Sequence, residues 1–145
     1  MSVCLDAFAI LTWLQDEPGA DLVDEFLQRA AGEKDFRCFV SLVNLGEVYY
    51  RLYRALGRGE ADTFWRDALQ KSPFSPVEVT RRRVLEAARI KARYLIALAD
   101  AFAVQLAQET QSPLVTGDPE IRMLEEEGVI PVIWLKRPGR GEQLP

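Results

Sequence analysis

The sequence predicts an α/β fold, a three-layer sandwich in which helices cover both faces of a central parallel sheet. Three observations lead there. Short apolar or β-branched runs alternate with helical stripes along the chain. The segments between the runs are long enough for the crossovers that parallel strands require. A chain of 145 residues with 48% hydrophobic content holds enough apolar material for one core and too little for two.

The elements follow in order. Ser2–Leu5 is a short apolar strand and Ala7–Leu14 a helix. Pro18–Ala31 is an amphipathic helix, with Leu22, Val23, Phe26, Leu27 and Ala30 at core-facing spacing and proline at its start. Arg37–Val40 reads as the second strand. Leu42–Leu56 is helical, because Leu45, Val48, Leu52 and Leu56 form a stripe that Gly57 and Gly59 then break. Glu60–Gln70 resumes the helical pattern. After Pro73 and Pro76, Val77–Val79 is the third strand and Arg81–Arg93 a basic helix. Leu98–Glu109 is apolar on nearly every side, as a buried helix is. Leu114–Val115 is the fourth strand, Pro119–Glu127 a helix closed by Gly128, and Val129–Leu135 a final β-branched strand. Residues 1–136 form one domain and 137–145 a flexible tail.

Composition narrows the chemistry. The chain has no histidine, which excludes a Ser-His-Asp triad, a Cys-His pair, an HExxH zinc site and any histidine-based ribonuclease mechanism. Carboxylates, hydroxyls, Lys/Arg or a metal must carry any reaction. A net charge of −4 speaks against a protein that merely coats nucleic acid and suits one that gathers acids to hold cations. Cys4 and Cys38 fall in buried strands without metal-ligand spacing, so they read as reduced thiols of the core. The opening stretch has no basic residue ahead of its apolar run and carries Asp6 within it, and no run is long enough to span a bilayer. A cytoplasmic protein is expected.

Ligands of an open parallel sheet bind beyond the carboxyl ends of its strands, and Asp6 and Asp118 each follow a strand. Crossover helices run antiparallel to the strands, so their first turns lie at the same edge, and Glu47 and Asp100 fall early in their helices. Each acid also has a purely structural reading. Asp118 before Pro119, and Asp6 before Ala7, suit N-caps; Asp100 could cap its helix, although Ala103 is not the partner of a capping box; Glu47 could be an ordinary surface acid. Together they say more, because four converging carboxylates repel unless a cation sits among them. An all-oxygen donor set suits Mg²⁺ or Mn²⁺, and such a site suits phosphodiester hydrolysis.

Four strings, VCLDAFAIL, SLVNLGEVYYRL, LADAFAVQLA and LVTGDPEI, in this order and spacing, resemble the PIN-domain family, and within it the VapC-type toxins of toxin–antitoxin pairs. The family's acids fall on Asp6, Glu47, Asp100 and Asp118, and Thr116 matches a hydroxyl position beside the last acid. The resemblance implies a five-stranded parallel sheet, a homodimer, Mg²⁺ or Mn²⁺ dependence, cleavage of RNA and inhibition by a cognate antitoxin. Many members carry Ser or Thr directly after the first acid, where this chain has Ala7 and then Phe8. Three function classes stay open: a toxin endoribonuclease, a housekeeping PIN nuclease without an antitoxin, and an idle PIN-like binding module.

Arg51, Arg54 and Arg58 stand at i+4, i+7 and i+11 from Glu47, a stripe able to carry phosphates of an RNA toward the acids or simply a solvated helix face. The arginines of Arg81–Arg93 surround their helix and read as solubilising charge. Tyr49, Tyr50, Tyr53, Phe64 and Trp65 crowd two adjacent helices, so some should line a groove suited to an antitoxin helix.

Overall fold

Alternation along the first strand decides the layering. In β1 (Ser2–Leu5), Val3 and Leu5 enter one apolar cluster and Cys4 the other, because successive side chains of a strand point to opposite faces. All three are fully buried, which places β1 at the centre. The structure, a computed structural model, describes residues 1–71 and 73–135. β1 is joined by β2 (Arg37–Ser41), β3 (Phe74–Val77), β4 (Leu114–Thr116) and β5 (Val132–Trp134), all parallel, in the order β3-β2-β1-β4-β5.

One cluster lies under α1 (Ala7–Leu14), α2 (Ala20–Gly32), α3 (Leu42–Leu56) and α4 (Arg58–Gln70), and includes Ile10, Val23, Leu45, Val48 and Ala61. The other lies under α5 (Arg81–Arg93), α6 (Leu98–Thr110), the 3-10 turn Pro119–Ile121 and α7 (Arg122–Glu126), with Val104, Leu106, Ile121 and Leu124. Helices therefore cover both faces, as the alternating pattern requires. Both cysteines are free and buried. Burial raises both thiols, that of Cys38 to about 12, so neither ionises near neutral pH. Among the described residues no helix is long and apolar enough to cross a membrane.

Several boundaries move, each for a local reason. The third strand is Phe74–Val77 and not Val77–Val79, with Pro76 inside it. β3 pairs only with β2, and an edge strand tolerates a residue that cannot donate on its open side. The last strand is Val132–Trp134, shorter than Val129–Leu135, since Val129 turns back to donate to the Leu124 carbonyl at 2.9 Å and Pro131 precedes the ladder. The helix expected over Pro119–Glu127 divides into the 3-10 turn and α7. α2 starts at Ala20, after Gly19 at φ 104°. Gly57, at φ 95°, ends α3, whereas Gly59 lies within the first turn of α4. The tail expected over 137–145 lies outside the described residues.

The strand order fixes where a ligand can sit. The chain winds outward from β1 through β2 to β3, then places β4 on the opposite side of β1. Between the carboxyl ends of β1 and β4 lies the switch point at which crossovers depart to different faces and leave a crevice. Asp6 directly follows β1, and Asp118 comes two residues after β4.

Candidate active site

Asp6 is held from two sides of that crevice. It caps α1, accepting from the Ala9 N–H at 2.8 Å, and is hydrogen-bonded by the Thr116 hydroxyl. Only 1% of it is exposed. Burial outweighs both hydrogen bonds and, with the fields of Asp118 and Glu47, pushes its carboxyl up to about 7. Thr116 ends β4 fully buried, and its Oγ1 accepts from the Asp118 N–H at 3.1 Å. One hydroxyl thus links the acids of the two central strands. Asp118 caps the 3-10 turn, accepting from the Glu120 N–H at 3.0 Å with Pro119 as the first residue of the turn. The capping readings of Asp6 and Asp118 are therefore real, and they aim both acids into the crevice.

Asp100 is not a cap. Ala97 holds that position in α6, and Asp100 stands in the first turn, where the helix end should favour the charged form. Its carboxyl is nevertheless raised to about 8, by burial first and then by Asp118 and Asp6, with a hydrogen bond to Asp118 and the field of Glu47 adding to the shift. The Asp100 carboxyl therefore keeps its proton near neutral pH, hydrogen-bonded to Asp118. Glu47 sits in α3 and is drawn toward Arg51, 3.4 Å away.

Among the described residues the tightest acid group is Asp100, Asp118 and Glu120, which offer carboxylate oxygens all within 4.8 Å of one another. Asp6 and Glu47 are not in that triplet. The cap bond and Thr116 hold Asp6, and Arg51 holds Glu47, while the fields of both still reach Asp100. Glu120 escaped the sequence reading, although a capped turn returns the residue two after its cap to the same side, so Asp-Pro-Glu was the available signal. Asn44 escaped it too. Fully buried one turn before Glu47, it donates from Nδ2 to the Ala99 carbonyl at 3.1 Å and so ties α3 to the first turn of α6.

Residues 3–127 match the PIN domain family. The chain belongs to the PIN-domain family. Solved structures of similar fold include VapBC2 from Rickettsia felis bound to a DNA fragment from its promoter, with a TM-score of 0.68 at 12% identity, covering 94% of this chain and 100% of that one. DNA-bound VapBC from Salmonella typhimurium gives 0.66 at 14%, covering 92% and 97%. VapC20 of Mycobacterium tuberculosis, a toxin that cleaves the sarcin-ricin loop, gives 0.64 at 14%, covering 83% and 93%. At such identities the likeness is one of fold. Comparison with curated proteins gives no sequence match.

In this PIN domain the basic stripe is shorter than its spacing suggests. Arg51 faces Glu47, and Arg54 lies over the Tyr50 ring at 4.9 Å. Arg58 does not continue the stripe, because α3 ends at Leu56 and Arg58 opens α4, where it pairs with Asp62 at 3.5 Å. A groove of about 1220 Å³ runs between α1, α3 and α4, lined by Leu14, Tyr50, Arg54, Leu56 and Phe64 among others. Tyr49 and Trp65 instead pack edge to face at 6.0 Å against the core.

Proposed function

We propose that this chain is a divalent-metal-dependent endoribonuclease, the toxin of a VapBC-type toxin–antitoxin pair. The observation that carries the reading is the crevice between β1 and β4, where Asp6 and Asp100 are both raised into the neutral range by burial and by neighbouring acids. Carboxylates gathered in this way, with Arg51 on Glu47 the one arginine paired with them among the described residues, fit a cation. Oxygen donors alone, from Asp6, Glu47, Asp100 and Asp118 with Glu120 beside them, suit Mg²⁺ or Mn²⁺.

Bound there, the cation would lower the pKa of a water and stabilise charge building on a phosphodiester. The chain's own part is positional. Thr116 and the Ala9 N–H fix Asp6, the turn at Pro119 fixes Asp118, and a cation bound there would displace the protons that Asp6 and Asp100 keep near neutral pH. Arg51, paired with Glu47, and Arg54, further along α3 over the Tyr50 ring, would draw in RNA phosphates.

The apolar groove between α1, α3 and α4 suits an amphipathic segment of the cognate antitoxin, the family resemblance adds a homodimer, and a cytoplasmic location is part of the proposal. The purified chain is expected to cleave RNA with Mn²⁺ or Mg²⁺ and to stop in EDTA. Undiminished cleavage in EDTA, from a preparation shown free of contaminating nuclease, would sink the mechanism. Co-expression with the product of a short DNA-binding reading frame immediately upstream should yield a complex without cleavage activity; the absence of such a complex would leave the nuclease but remove the antitoxin.

A further inference from the structure

Gly117 separates Thr116 from Asp118, and its backbone does not explain the choice of glycine, since among the described glycines positive φ is confined to Gly19, Gly57 and Gly128. Space explains it. A Cβ at Gly117 would meet the ring of Phe8 at 2.3 Å from Cε1, 2.7 Å from Cζ and 3.0 Å from Cδ1. Phe8 is the second residue of α1, two after Asp6, and packs against the first apolar cluster. Its ring therefore reaches from the helix that Asp6 caps to the peptide unit directly before Asp118.

We propose that Phe8 is a positioning residue, a brace that sets the separation of Asp6 and Asp118 by pressing on the backbone at Gly117. The inference rests on the metal-nuclease reading and deepens it. β4 stops at Thr116, whose carbonyl accepts from the Leu135 N–H, just past β5, at 2.9 Å. Beyond that point the Asp118 N–H donates to Thr116 Oγ1 at 3.1 Å and its carbonyl accepts from the Ile121 N–H of the turn at 3.1 Å. A ring seated against Gly117 from the side of Asp6 limits how far the backbone before Asp118 can shift toward Asp6, and a side chain added at Gly117 would force ring or backbone to move.

The test uses the full chain, Mn²⁺ titrations, and hydrogen exchange of the Asp118 amide in metal-free protein. Gly117→Ala should weaken Mn²⁺ binding by about ten- to a hundredfold, the range in which residues that orient metal ligands act. Phe8→Ala should weaken it less, while speeding exchange at Asp118 and leaving the amides of α6 unchanged. Combining Phe8→Ala with Gly117→Ala should restore binding to the level of Phe8→Ala, because the clash is gone. Wild-type affinity in Gly117→Ala, or a double variant no better than Gly117→Ala, would overturn the brace. If Gly117→Ala does not fold, Phe8→Ala decides alone: unchanged exchange at Asp118 together with unchanged affinity overturns the proposal. If the wild type takes up no Mn²⁺, the metal reading fails, and the exchange comparison still tests the brace.

Discussion

The two ends of α6 each carry an acid, and the two acids are treated in opposite ways. At the C-terminal end Glu109 takes Arg83 at 2.7 Å, Arg82 at 3.0 Å and the Gln105 amide at 2.8 Å. The Arg83 guanidinium above all holds its carboxyl down at about 2. At the N-terminal end Asp100 is half-buried among other carboxylates and is pushed up to about 8. One helix thus carries at one end an acid neutralised by the chain's own arginines and at the other an acid that, among the described residues, has no lysine or arginine paired with it.

The largest effect should come from breaking the unpaired end. Asp100→Asn removes a proposed ligand and a carboxyl whose ionisation burial and the neighbouring acids oppose, so RNA cleavage should fall by at least about a hundredfold, since even residues outside a ligand set cost ten- to a hundredfold. Without metal the variant should melt no lower than wild type, because that opposition is removed. Wild type should gain melting temperature in millimolar Mn²⁺, and the variant much less. A destabilised variant with an undiminished response to Mn²⁺ would remove Asp100 from the site.

Proton linkage gives the next effect. Asp6 and Asp100 keep their protons in the folded chain up to about 7 and about 8, whereas the unfolded chain loses them near the ordinary 3.8. The metal-free folded state therefore binds more protons across that window, and its stability falls as pH rises through it. Mn²⁺ must displace those protons, so its affinity should climb between pH 6 and pH 8. Calorimetry in two buffers of different ionisation enthalpy should show proton release at pH 7. An affinity independent of pH would mean that the acids do not bind the ion.

Glu109→Gln probes the paired end and should cost less. Its lowered carboxyl contributes stability above the unfolded value of 4.5 that is lost as pH falls toward 2, so wild type and variant should converge in acid. At neutral pH the loss should stay under about 1 kcal/mol, because these pairs are partly solvated. Mn²⁺ binding should not change. A shift in metal affinity on a par with that of Asp100→Asn would erase the contrast between the two ends.

Much of this contrast was legible before any coordinates. α1 over Ala7–Leu14, α3 over Leu42–Leu56 and α5 over Arg81–Arg93 fall where periodicity and glycine punctuation put them, because their stripes are long and their ends are marked. The edge strands shifted, since three or four residues beside proline carry little periodic signal. Asp6 and Asp118 were readable from strand ends. Glu120 was not, because its place depends on the tightness of one turn, and Arg58 was misplaced because linear spacing ignores the break at Gly57. Nothing in the sequence marked Gly117, since the Phe8 ring that a side chain there would meet lies more than a hundred residues away.

The smallest effect concerns the rim, where the contrast is least sharp. Among the described residues Arg51 is the one cation paired with any of the four acids, at 3.4 Å from Glu47, with its side chain 56% exposed. So exposed a pair adds little to stability, which leaves Arg51 free to exchange Glu47 for a phosphate. Arg51→Ala should weaken RNA binding a few-fold at low salt and reduce the slope of log affinity against log salt by about 1, the signature of one lost phosphate contact. Melting temperature and Mn²⁺ affinity should stay close to wild type, since the residue is placed as a phosphate contact and not as a ligand. Binding of a fluorescent RNA across a salt series, with Ca²⁺ in place of Mn²⁺ to suppress cleavage, would separate the outcomes. Equal affinity and equal slope would make Arg51 a partner of Glu47 and nothing more, and the acids of the rim would then be one step closer to the paired end of α6.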